Sequence, residues 1–89
     1  MAGSRRADVE VLWPGGTRNI LYNVREGERV KFPEIPCSYD TQEPYRRYVR
    51  CVQQSLRSLR RQGIIQRLEA ARFLVSALRA YHLEHKRLP

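Results

Sequence analysis

Between Tyr45 and Arg67 the chain carries no acidic residue, yet seven arginines fall in that stretch. Within it Tyr45, Tyr48, Val49, Val52, Leu56 and Leu59 recur at helical spacing, while Arg46, Arg47, Arg50, Arg57, Arg60 and Arg61 take the other side. An α-helix puts residues three and four apart on one face, so this segment predicts an amphipathic helix that buries its apolar stripe and leaves the guanidinium groups in water. Asp40 or Thr41 is expected to cap it, with Pro44 in its first turn, and Gly63 to end it. Arg60 and Arg61 then lie beside the carbonyl end of the helix dipole.

The following segment, roughly Ile64 to Lys86, has the same period but a much wider apolar surface. Ile64, Leu68, Ala71, Val75 and Leu78 make one stripe, which the first helix is expected to cover in an antiparallel hairpin. Ala70, Phe73, Leu74, Ala77 and Tyr81 make a second. A single neighbouring helix cannot cover both, so the second is covered by strands or serves as an apolar docking face through Phe73, Leu74, Ala77 and Tyr81.

Upstream the period changes to two. Val9, Val11 and Trp13 alternate with other residues, Pro14-Gly15-Gly16-Thr17 supplies turn chemistry, and Ile20, Tyr22 and Val24 alternate again. This predicts a β-hairpin, and Val30 and Phe32 offer a third strand before Pro33 stops it. Pro33 and Pro36 cannot donate to a ladder, so the segment up to Asp40 is expected to be an extended connector. The fold class is therefore α+β, mainly α. It comprises an extended basic N-terminus (1–8), a short hairpin or meander (9–32), a Pro-containing linker (33–40) and a basic helical hairpin (41–89).

Charge is divided in the same way. Residues 1–43 hold six basic and seven acidic side chains, whereas residues 44–89 hold eleven basic and two acidic, so all the excess of the +8 net charge lies in the helical half. Fifteen of the seventeen cations are arginine, the residue suited to bidentate contact with carboxylates and phosphates. A solvated helix face normally interleaves acids with its bases, so an uncompensated one marks a surface for an anionic partner.

Other chemistry finds little support. Gly15-Gly16 matches no phosphate-binding loop. His82 and His85 are three apart with no further ligands at metal-site spacing, and no nucleophile and base set is recognisable, so neither enzyme nor cofactor is expected. Cys37 and Cys51 match no zinc or CxxC pattern. They could form one bridge in an oxidising compartment, and they are taken here as two reduced thiols. No apolar run approaches the ~18 residues of a membrane span, although peripheral contact with a membrane complex is compatible.

At the start of the first helix, Tyr45-Arg46-Arg47-Tyr48-Val49-Arg50 resembles the LYR motif family, with Pro44 in place of its Leu. The resemblance covers residues 44–86, and Ala71-Arg72-Phe73-Leu74-Val75 through His85-Lys86 is similar to the Phe-bearing basic second helix of that family. It implies an accessory subunit or assembly factor of a respiratory complex on the mitochondrial matrix side. Its expected partner is the acidic acyl carrier protein, with Tyr45, Arg46 and Arg50 as the motif residues. The alternative from charge alone is a small ribosomal or RNA-binding protein holding phosphates through the same arginines, though Tyr45 and Tyr48 lie on the buried stripe and offer no stacking platform. A regulator of a nucleic-acid enzyme is a third option.

Overall fold

A computed structural model describes residues 5–86. Strands β1 (Arg6–Leu12) and β2 (Arg18–Arg25) form an antiparallel hairpin. A long connector follows, then helix α1 (Tyr45–Arg61) and helix α2 (Arg67–Lys86), which form a helical hairpin. The α+β, mainly α class expected from the sequence is the one adopted.

The turn between the strands closes with the Gly16 N–H donating to the Trp13 carbonyl at 2.8 Å, and Gly16 takes a positive φ that its missing Cβ permits. Arg6 to Asp8, assigned from sequence to an extended tail, are already in or paired with the ladder. The register slips between Ala7 and Val9, where Tyr22 and Asn23 together oppose the single residue Asp8. Asn23 accommodates this bulge at φ 59°, and its N–H donates to the Asp8 carboxylate.

The third strand expected at Val30 and Phe32 is absent. The outer edge of β2 is satisfied by side chains instead: the Arg18 N–H donates to Ser38 Oγ and the Tyr22 N–H to Ser76 Oγ of α2. Phe32 packs edge-to-face on Phe73 at 5.2 Å, so this segment contributes side chains to the core without contributing a ladder. Asn19, buried in β2, bonds the connector directly. Its Oδ1 accepts from the Ile35 N–H and its Nδ2 donates to the Ile35 and Cys37 carbonyls.

Cys37 and Cys51 are joined in a disulfide, which corrects the expectation of two free thiols. Helical spacing explains why they meet. Cys51 lies one residue from Val52 and four from Ser55 on the side of α1 that the connector crosses, and Cys37 Sγ is 3.6 Å from Ser55 Oγ.

Helix α1 begins at Pro44 as its N-cap, without the side-chain cap expected from Asp40 or Thr41. Thr41 instead accepts from the Glu43 N–H in the preceding turn. At the other end the Gly63 N–H reaches the Arg60 carbonyl and the Ile64 N–H the Leu59 carbonyl, with Gly63 at φ 75°. These two bonds make a Schellman motif, so Gly63 stops the helix as the sequence requires. The same turn delays α2 to Arg67, where Glu69 accepts from the Gln66 N–H as half of a capping box.

Packing reverses the two faces expected of α2. Phe73, Ala77 and Tyr81 are buried with Ala70 and Ala80, against Leu21 and Val24 of the hairpin and Tyr48, Val52 and Leu56 of α1. Phe73, Leu74, Ala77 and Tyr81 are therefore not a docking face. Leu74 is half-buried against the core, and the other three belong to it. Burying two aromatic rings outweighs burying the Leu68 and Val75 stripe, and alanines on the same side let β2 and α1 approach closely. Tyr81 anchors this side: its ring stacks on Tyr48 and His85, and its hydroxyl donates to the Glu43 carbonyl at 2.8 Å.

Candidate partner-binding surface

With Tyr48, Val52 and Leu56 turned inward, α1 presents Arg46, Arg50, Gln53, Arg57 and Arg60 at alternating steps of four and three. These positions form one straight stripe of exposed side chains. Arg47 and Arg61 are exposed too, but Arg47 lies on the connector side, where it pairs with Glu43 at 3.5 Å. Among the described residues, no carboxylate lies within ion-pair distance of Arg46, Arg50, Arg57, Arg60 or Arg61.

Two depressions adjoin the stripe. The first, about 470 Å³, is lined by Tyr45, Arg46, Val49, Arg50 and Gln53, which brings the three motif-like residues Tyr45, Arg46 and Arg50 onto one patch. Tyr45 is only partly covered, its ring 4.7 Å from that of His82 and 5.3 Å from that of Tyr81. The second, about 270 Å³, lies between the helices, where Gln53, Arg57 and Arg60 face Arg67, Ala71 and Leu74. Gln53 borders both, so the basic surface is continuous along α1.

Sequence reasoning missed a third depression on the far side of α2. It holds about 780 Å³, and Arg6, Arg25, Arg72 and Arg79 gather around it with Tyr22, Glu28 and Val75. Arg79 is held over the Tyr22 ring at 4.4 Å, and Arg72 bonds Glu28 and the Asn23 carbonyl. The signal for this site is a tertiary one, since the four arginines come from both strands and α2.

Arg72, bonded to Glu28 at 2.5 Å, and the Arg25 N–H hold the Glu28 carboxyl well below its ordinary range, at about 2. Because the folded value is depressed, this link stabilises the fold fully above the ordinary value near 4.5 and is lost as pH falls towards 2. Glu28→Gln should accordingly lower stability modestly at neutral pH and flatten the acid limb of a stability-versus-pH curve over that window, the two proteins converging as pH falls towards 2. An acid limb identical in both proteins would contradict the assignment. Elsewhere, burial pushes the Tyr48 and Tyr39 hydroxyls up, and for Tyr39 a bond to Glu10 adds to the effect.

The two histidines are engaged within the fold. The His85 ring nitrogens contact the Tyr81 and Thr41 carbonyls at 2.9 and 2.8 Å, and the His82 ring packs at a tilt against that of Tyr45. Among the described residues, no helix is long and apolar enough to cross a membrane. Comparison with protein-family models, curated proteins and solved structures gives no match.

Proposed function

We propose that this chain is a non-catalytic accessory subunit or assembly factor that docks onto a multi-protein complex through the arginine stripe of α1. The observation that carries the reading is the stripe itself: Arg46, Arg50, Arg57 and Arg60 stand exposed in register, and among the described residues no carboxylate lies at ion-pair distance from them. Such charge is compensated on binding, and arginine loses less on desolvation at an interface than lysine does. An acidic protein surface is the partner that fits. The LYR-like motif extends this to a mitochondrial complex of the respiratory-chain type, with an acidic acyl carrier protein meeting Tyr45, Arg46 and Arg50.

Reversing Arg46, Arg50 and Arg57 to Glu together should abolish co-purification with the native complex while leaving far-UV helicity intact, because none of the three supports the core. Retained co-purification would refute the reading. The rival reading, phosphate contact in a ribosomal particle, predicts instead an RNA affinity that falls steeply with salt through counterion release.

A further inference from the structure

The stripe that sequence reasoning assigned to the helix–helix contact is the one left uncovered. Leu68 is 83% exposed, Val75 66% and Ile64 46%, with Ala71 exposed between them. Leu68, Ala71 and Val75 fall at steps of three and four on one side of α2 and form a ridge. Ala71 borders both the interhelical depression and the large cleft against the hairpin, so the ridge has a trough on each side.

Both troughs are basic. Arg57, Arg60 and Arg67 line one, and Arg6, Arg25, Arg72 and Arg79 line the other, where the single carboxylate among the lining residues, Glu28, is paired with Arg72 and leaves Arg6, Arg25 and Arg79 in excess. Arg6 and Arg25 are direct cross-strand partners, and among the described residues neither has a carboxylate at ion-pair distance. Like charges placed opposite each other on a ladder are destabilising unless an anion lies between them. An apolar ridge flanked on both sides by arginine is the complement of an amphipathic helix that carries acids on either side of an apolar stripe.

We propose that the outer face of α2 is a second docking surface, which receives an acidic amphipathic helix of a partner protein. The partner's apolar side chains seat on Leu68, Ala71 and Val75, and its flanking carboxylates reach Arg57 and Arg60 on one side and Arg25 and Arg79 on the other. The ridge from Leu68 to Val75 covers about 10 Å of helix axis, which matches about two turns of a partner helix. A second copy of this chain is disfavoured because basic rims would face each other and the chain carries a net charge of +8. Nucleic acid is disfavoured because phosphates would leave Leu68 and Val75 in water. This surface shares Arg57 and Arg60 with the α1 stripe, and the test separates the two readings by varying Leu68 and Val75, which only this surface uses, and Arg46 and Arg50, which only the stripe uses.

The probe is a labelled synthetic peptide of about five turns, with leucine along one face and glutamate on both flanks, titrated into the whole chain by fluorescence anisotropy at physiological ionic strength. Saturable binding is expected. It should weaken about tenfold or more in the Leu68→Gln/Val75→Gln variant, whose charge is unaltered, and persist in Arg46→Gln/Arg50→Gln, which alters only the motif patch. Both variants change exposed side chains, and an unchanged melting temperature would exclude unfolding as the cause. Absence of saturable binding, or binding indifferent to Leu68 and Val75, would overturn the proposal. So would a concentration-dependent dimer, or association with anionic vesicles or duplex RNA, that depended on Leu68 and Val75 in the peptide's place.

Discussion

Replacing Asn19 by Ala should destabilise the chain by about 3 to 5 kcal/mol, since each buried polar group left without a partner costs about 1 to 3 kcal/mol. Asn19 is a buried polar residue near the turn end of the hairpin, and its amide supplies the Ile35 N–H with an acceptor and the Cys37 carbonyl with a donor. The Ile35 carbonyl also receives the Cys37 N–H, so it keeps one partner. The Trp13 indole N–H, which donates to the same Asn19 oxygen at 2.7 Å, is only part-buried and can turn to water. Trp13→Phe should therefore cost much less than Asn19→Ala, about 1 kcal/mol. Urea unfolding followed by circular dichroism measures both. A loss below about 1 kcal/mol for Asn19→Ala would show that the connector is held to the hairpin by something other than this amide.

Asn19 also shows where period-two reading reaches its limit. The alternation of Ile20, Tyr22 and Val24 predicts one inward face, yet the buried residues of β2 are Asn19, Leu21 and Val24. The bulge at Asn23 is responsible: it inserts a residue and returns Val24 to the face that Leu21 occupies. The hairpin itself was legible from its turn chemistry, and helix α1 from its stripe and Gly63. The inward side of α2 was not. With apolar residues around most of its circumference, periodicity alone cannot rank the two sides, and the choice was made by which side offered aromatic rings and small neighbours. The candidate surface divides likewise. The α1 arginines are contiguous in the sequence and were found there, whereas the cleft beside Arg6, Arg25, Arg72 and Arg79 exists only once the hairpin packs on α2.

Removing the Cys37–Cys51 bridge should cost about 3 kcal/mol, the loop-closure value for a segment of about 15 residues. The bridge encloses the second half of the connector and the first turns of α1, with a sequence separation of 14. That connector lacks a ladder, and its bonds to the hairpin run through the Asn19 amide, Ser38, the Tyr39 N–H and hydroxyl, and the Arg18 ion pair with Asp40. A chain of 89 residues buries a smaller share of its surface than a larger domain, so one cross-link is a large fraction of its net stability. Cys37→Ala/Cys51→Ala should unfold at lower urea than the oxidised wild type, and reductant should lower the wild type's midpoint but leave the variant's unmoved. The same bond bears on compartment. Disulfides persist in oxidising spaces, whereas the LYR-like motif implies the reducing matrix side, and the two expectations separate in one measurement. Thiol labelling in rapidly quenched native extract should find both cysteines blocked if the chain resides on an oxidising side. Full labelling of both would place the protein in a reducing compartment, and its connector would then be held by the Asn19 amide, the Ser38 and Tyr39 bonds and its buried side chains.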